Sequence, residues 1–338
     1  MTPRLQDDIL FRGNRIRHLL YTQQFSRNSL DELFRVAERC RGLDASRAGA
    51  RVLASLLPHK RALLYFVQPS TRTFLSFRIA ASILGMSTSD VRSPETSSEV
   101  KGETPADSVH IFSVYHDLIV IRYPEPGFAE SCVAQLKLSE KEKHIVNAGS
   151  GMDQHPTQAL LDVYTLHREF LRFGGIDGKR VLIVGDLARG RAARSLIYLL
   201  GKYSDVQIDL VSPAQLRLSE DMKEYMSRKN MSFRESDDME EFLGSADAVY
   251  MTRVQDEYDS QVKTGRFDLR NFCLDTHRLR LLKVTAPILH PLPRRGEIPT
   301  EIDADPRAVY WDQVENGLWV RVALIAHMFA VDDSVMQA

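Results

Sequence analysis

The chain has 338 residues, more than one hydrophobic core ordinarily serves, so two domains of roughly 150 residues each are expected. With 43% hydrophobic and 26% charged residues the composition is that of an ordinary globular protein, and a formal net charge of −1 removes any global electrostatic reason to approach nucleic acid or an anionic membrane. The three cysteines, Cys40, Cys132 and Cys273, form neither a CxxC pair nor a disulfide framework, no stretch reaches about 18 apolar residues, and the N-terminus lacks a signal-peptide core; a reducing cytoplasm and no structural metal are the expectation.

In chain order, "RALLYFV" (61–67) is a continuous apolar run of strand type. "TFLSFRIAASIL" follows, with Phe74, Phe77, Ala81 and Leu84 at helical spacing and Gly85 as the stop. Residues 86–108 are rich in Ser, Thr and Glu and read as a long loop. "DLIVIRYP" is a buried-type strand with Arg122 at its end, and "QHPTQALLDVY" opens a helix at Pro156. The strand-then-helix order recurs in "RVLIVGD" with "RAARSLIYLLGKY" and in "VQIDLVS" with "LSEDMKEYMSRK", and "SADAVYMT" adds a further strand. A last apolar helix is read in "GLWVRVALIAHMFA". This alternation predicts an α/β fold of two domains, each a parallel sheet flanked by helices, with ligands beyond the strand C-termini.

Three stretches carry chemistry. In "PSTRT" (69–73) a helix N-terminus offers unpaired N–H groups and the positive end of the helix dipole, to which Ser70, Thr71, Arg72 and Thr73 add donors; together they suit a phosphate. An isolated Ser or Thr before a helix is ordinarily just a cap, but Arg72 in the first turn opposes the dipole unless an anion binds there. In "QHPTQ", His155 beside a helix N-terminus is held neutral and can donate to a substrate carbonyl, with Gln158 one turn away; a lone surface His beside a turn is the plainer alternative. "GDLARGRAARS" has the glycine spacing of a phosphate loop, yet Arg191 and Ala192 stand where Lys and a hydroxyl are needed. No GxGxxG occurs either. Arg191 is there equally an anion ligand or a solvated surface side chain. Arg72, Arg122, Arg191 and Arg253 all fall at or just beyond strand ends, and His290, Pro291 and Leu292 follow another apolar segment.

Taken in order, PSTRT at 69–73, KGET at 101–104, the Arg after DLIVI, QHPTQ at 154–158, GDLxxGR at 185–191, TRVQ at 252–255 and HPLPR at 290–294 resemble the aspartate/ornithine carbamoyltransferase family over about residues 60–330. Pro291 and TRVQ favour its aspartate branch over the ornithine branch. The resemblance implies attack of the L-aspartate amine on carbamoyl phosphate in pyrimidine synthesis, in a cleft between a carbamoyl-phosphate domain (1–153 with 314–338) and an aspartate domain (154–313). It implies that Ser70, Thr71, Arg72 and Thr73 hold the phosphate with Arg122, that His155 and Thr73 polarise the carbonyl, and that Gln158 with the backbone at Pro291 and Leu292 holds the carbamoyl NH₂. Arg191, Arg253 and Gln255 then bind aspartate together with Lys101. Ser97 and Lys101 enter from a neighbouring subunit, which makes a homotrimer the smallest complete unit. No metal or organic cofactor is required, because the acyl phosphate is already activated, and positioning with electrostatics suffices.

The chain departs from the family pattern at Gln68, commonly Glu, at Tyr258, commonly Arg, and at Phe74, commonly Arg. The first two are charge partners in relatives and are both uncharged here. A different acceptor amine, a nucleotide-dependent α/β enzyme and a non-catalytic homologue are the alternatives. The failed glycine motifs disfavour the second, and the intact Arg72, Arg122, His155 and Arg253 disfavour the third.

Overall fold

In the computed structural model, residues 7–92, 102–136, 143–151, 154–253 and 269–338 are described. The chain divides into two units, Met1–Thr157 with Gly317–Ala338, and Gln158–Asn316.

A short hairpin of β1 (Phe11–Arg12) and β2 (Arg15–Ile16) precedes the first sheet. That sheet contains β3 (Arg61–Phe66), β4 (Ser87–Val91), β5 (Leu118–Arg122) and β6 (His144–Asn147) in the order β4-β3-β5-β6, all parallel. Helices on both faces of a parallel sheet leave its central strands dry, which is why β3 and β5 read as unbroken apolar runs. Tyr65, Ile119, Ile121, Ile145, Phe128 and Val133 belong to its core, each burial contributing about 1.5–3 kcal/mol.

The loop expected over 86–108 is corrected at both ends. Residues 87–91 form β4, which among the described residues is an edge strand paired to β3 alone, and its open side tolerates Ser, Thr and Asp and so conceals it from hydropathy. At the other end Thr104 caps the helix Pro105–Tyr115 by accepting from the Asp107 N–H at 3.1 Å.

The second sheet contains β7 (Arg180–Val184), β8 (Gln207–Val211), β9 (Ser232–Ser236), β10 (Ala248–Met251) and β11 (Ile288–Leu289) in the order β11-β10-β7-β8-β9, again all parallel. Leu182, Val184, Val249, Met251, Phe242 and Ile288 pack its core. The last long helix runs from Tyr310 to Met328, seven residues earlier than its apolar stretch suggests. Its first two turns contain Gln313 and Asn316, which are buried but hydrogen-bonded to Asp162 at 2.6 Å and to Thr165 at 2.9 Å, so polar residues stand where periodicity looks for apolar ones. Among the described residues no helix is long and apolar enough to cross a membrane.

The segment before the first long helix is stitched to β6. Leu19 N–H donates to Ile145 O and Asn147 N–H to Leu19 O, both at 2.8 Å, and His18 Nδ1 accepts from the Ile145 N–H at 3.1 Å. Burial, followed by the charge of Arg17 and the presence of His144, lowers the His18 pKa from 6.5 to about 3. Its folded pKa is depressed, so its contribution is whole above about 6.5 and is lost as pH falls towards 3, where only the unfolded chain takes up the proton. Denaturation midpoints should therefore drop across that window, and His18→Gln, which keeps an acceptor without a titrating ring, should flatten the drop when urea melts are compared pH by pH.

Candidate active site

In the first unit the candidate site residues are gathered by strand register. Phe66 at the end of β3 pairs with Arg122 at the end of β5, and the Gln68 N–H donates to Arg122 O at 3.0 Å. The PSTRT turn therefore begins alongside Arg122. Ser70 is the N-cap of the helix Thr71–Ile83, in extended conformation at φ −164°, but its side chain makes no capping bond. The first turn thus has no side chain of its own capping it, which is the arrangement an anion exploits. Thr71 and Arg72 are exposed, Ser70 is half-buried and Thr73 is buried.

Phe74 lies in the core rather than on this face. Its ring meets Phe66 edge-on at 5.5 Å, and the Arg92 guanidinium lies over it at 4.5 Å. Gln68 is half-buried, and its Oε1 has no hydrogen-bond partner among the described residues.

The turn after β6 brings in the histidine. Asn147 Oδ1 accepts from the N–H groups of Gly149 and Ser150, both at 2.9 Å, and Ser150 Oγ accepts from the Tyr123 N–H at 3.1 Å. Arg122 Nη1 donates to Ala148 O at 3.1 Å. Gly149 has φ +96°, and a Cβ there would sit 2.7 Å from His155 Cδ2 and 3.0 Å from Arg122 Nη1. Guanidinium and imidazole therefore close on the same piece of bare backbone. His155 is 7% exposed and directly precedes the helix Pro156–Phe170.

Behind this site stands a residue that sequence reasoning missed. Arg321, 3% exposed, donates from Nη1 to Ser76 Oγ and Gly317 O, both at 2.9 Å, and from Nη2 to Thr157 Oγ1 at 3.5 Å, against the Phe77 ring at 5.1 Å. It links the helix after PSTRT to the start of the helix after His155. Asn147 was missed too, although an Asn followed by "AGSG" is a turn signal.

The second unit repeats the device. β11, β10 and β7 are neighbours, so the segments following them, with Pro291 and Leu292, with Arg253 and with Arg191, issue side by side. Gly185 after β7 has φ +123°, and a Cβ there would lie 2.2 Å from Thr252 O. The Thr252 N–H and Oγ1 both donate to Val184 O, at 2.8 and 2.9 Å. Arg253 is half-buried, as is Arg191, the first residue of the helix Arg191–Leu200. In the same loop the buried Asp186 accepts from the Arg189 N–H at 3.0 Å and Nε at 2.8 Å.

His290 is 1% exposed and fixes the next turn. Its Nδ1 accepts from the Leu292 N–H at 2.7 Å, so the hydrogen is on Nε2, which donates to Glu297 Oε1 at 2.8 Å. Burial by itself would raise the Glu297 carboxyl, but the His290 bond and backbone N–H groups outweigh it and hold the pKa below its ordinary value. Leu292 is thereby kept at φ +54°, a conformation that strains a branched side chain. Gln158, half-buried, donates from Nε2 to Asp162 Oδ1 at 2.8 Å. Ser97, Lys101, Gln255 and Tyr258 lie outside the described residues.

Two family models match. The carbamoyl-P binding domain of aspartate/ornithine carbamoyltransferase covers residues 17–168, and the Asp/Orn binding domain covers residues 177–328. The chain belongs to the aspartate/ornithine carbamoyltransferase family. Aspartate carbamoyltransferase 1, chloroplastic, of Pisum sativum is 39% identical over 311 residues, which are 91% of this chain and 77% of that protein. The catalytic subunit of M. jannaschii aspartate transcarbamoylase superposes with a TM-score of 0.81 at 33% identity, covering 93% of this chain and 98% of that one. Aspartate transcarbamoylase of Trypanosoma cruzi in complex with carbamoyl phosphate and aspartate gives 0.79 at 33% identity, over 91% and 94%.

The bare backbone at residue 149 is open to test. Gly149→Ala should weaken binding of inorganic phosphate, measured by titration calorimetry, by about tenfold or more with an unchanged circular-dichroism spectrum, because the new methyl displaces Arg122 and His155 together.

Proposed function

We propose that this chain is an aspartate carbamoyltransferase, transferring the carbamoyl group of carbamoyl phosphate to L-aspartate as an early step of pyrimidine synthesis. The observation that carries the reading is the gathering of the PSTRT helix start, Arg122 and His155 at three adjacent strand ends, with Arg122 and His155 closing on Gly149. The Pisum sativum and T. cruzi relatives, named for this activity, support it.

Ser70, Thr71, Arg72 and Thr73 hold the phosphate at the helix N-terminus, and Arg122 spans phosphate and carbonyl oxygen. The aspartate amine attacks the carbonyl carbon, and negative charge grows on its oxygen, facing His155, Thr73 and Arg122. The bond between the carbonyl carbon and the bridging oxygen then breaks, and phosphate leaves with the electron pair and takes up the proton that the amine loses. Gln158 and the backbone of Pro291 and Leu292 hold the NH₂, while Arg191, Arg253 and Gln255 bind the aspartate carboxylates. Residues 1–153 with 314–338 serve carbamoyl phosphate and residues 154–313 serve aspartate. Ser97 and Lys101 complete a neighbouring chain's site in a homotrimer. The three free cysteines support a reducing compartment, for which we propose the cytoplasm.

Turnover with carbamoyl phosphate and a panel of amines tests the reading, with aspartate the preferred acceptor; preference for ornithine or another amine overturns it. Arg72→Ala should cost about 3 kcal/mol or more of transition-state stabilisation in kcat/KM, and His155→Ala should lower kcat by roughly 10²-fold. Lys101→Ala and Arg72→Ala trimers should each be nearly inactive. Subunit exchange at equal ratio should return about one quarter of wild-type activity, because each mixed trimer regains one complete site in three. No recovery after verified exchange removes the shared site.

A further inference from the structure

We propose that Asp162 is a positioning residue that decides which end of the Gln158 amide is presented to substrate, so that the site selects an acyl phosphate bearing N–H over one bearing a methyl group. The inference rests on reading Gln158 as a ligand of the carbamoyl NH₂.

A primary amide has nearly the same shape either way round, so its neighbours decide whether oxygen or NH₂ faces a ligand. Asp162 is fully buried. Its Oδ1 accepts from Gln158 Nε2 at 2.8 Å and Gln313 Nε2 at 2.6 Å, and its Oδ2 accepts from the Tyr250 hydroxyl at 2.7 Å. Burial first, and the Asp162 charge second, push the Tyr250 pKa well above its ordinary value, so the phenol stays a donor. A carboxylate can only accept. Turning the Gln158 amide round would set oxygen against oxygen at hydrogen-bond distance in a buried place, which costs the pair its bond and leaves an acceptor unsatisfied. Gln158 Nε2 therefore stays on Asp162. Its Oε1, which accepts from no described residue, is the atom left for a ligand.

The turn beyond β11 has the same polarity and is tied to the same carboxylate. Gln313, held by Asp162, accepts the His290 backbone N–H at 2.9 Å through Oε1. In Pro291–Leu292–Pro293 the single backbone N–H is that of Leu292, and it is already donated to His290 Nδ1. This turn can offer a ligand carbonyl oxygens only. Gln158 and the turn thus present acceptors, which match the two hydrogens of a carbamoyl NH₂ and match nothing on the methyl of acetyl phosphate.

The test compares kcat/KM for carbamoyl phosphate with the inhibition constant of acetyl phosphate. Asp162→Leu keeps much of the volume but removes the acceptor, which lets the Gln158 amide turn. Carbamoyl phosphate should then lose about tenfold or more, while acetyl phosphate changes by less than about twofold. Gln158→Glu added to Asp162→Leu should recover most of the loss, because a carboxylate presents an oxygen to the ligand whichever way it turns. An equal loss for both phosphates, or no recovery in the folded double variant, overturns the proposal. If Asp162→Leu does not fold, Gln158→Glu alone carries the test: two facing carboxylates should add a titration above the ordinary carboxylate range to the carbamoyl-phosphate pH profile, and its absence overturns the contact. Gln158→Ala separates the two readings. If discrimination survives it, Gln158 is not the ligand and both fail; if Gln158→Ala abolishes discrimination and Asp162→Leu does not, only the role of Asp162 fails.

Discussion

The parallel register of the central strands is the constraint on which the candidate site depends. Side chains alternate faces along a strand, so sliding β5 by one residue against β3 would carry Arg122 to the opposite side of its sheet and detach it from the PSTRT turn. Because β5 is buried on both faces, the same slip would exchange Ile119 and Ile121 in that core for Leu118 and Val120, so the fit of particular side chains rather than their polarity holds the register. Packing and catalysis thus share one determinant. The second unit obeys the same rule, with β10 held between β7 and β11 by Val249 and Met251.

Beyond register, the geometry relies on places where the chain has no side chain. Residue 149 must be glycine for Arg122 and His155 to close on it, and residue 185 must be glycine for the end of β7 to touch Thr252. Each has positive φ as well, so any substitution there meets both backbone strain and a clash. The strained Leu292 is the converse case. A branched residue sits where glycine would be comfortable, and His290 and Glu297 hold it there.

The departures from the family pattern separate into two kinds. Phe74 belongs to the core, between Phe66 and Arg92, so its substitution for a charged residue is accommodated by packing. Gln68 stands at the mouth of the PSTRT turn with a buried amide oxygen. An uncharged residue there needs no compensating cation, which is consistent with Tyr258 being uncharged as well.

Local sequence determined much of this protein. Apolar runs such as RALLYF and RVLIV, alternating with helical stretches, read as buried parallel strands, Pro156 reads as a first helical residue, and Arg72 in a first turn points to an anion because the helix dipole repels it otherwise. What periodicity could not reach was whatever a distant residue satisfies. Gln313 and Asn316 are buried polar residues made tolerable by Asp162 and Thr165, about 150 positions away, and β4 is a polar strand made stable by β3. Arg321 looks like an interruption of an apolar helix until Ser76 and Thr157 are brought to it. The orientation of Gln158 belongs to the same class, since an amide carries no preference of its own. Hydropathy and capping act within a few residues and are written in the sequence, whereas the partner of a buried polar group is chosen by the fold.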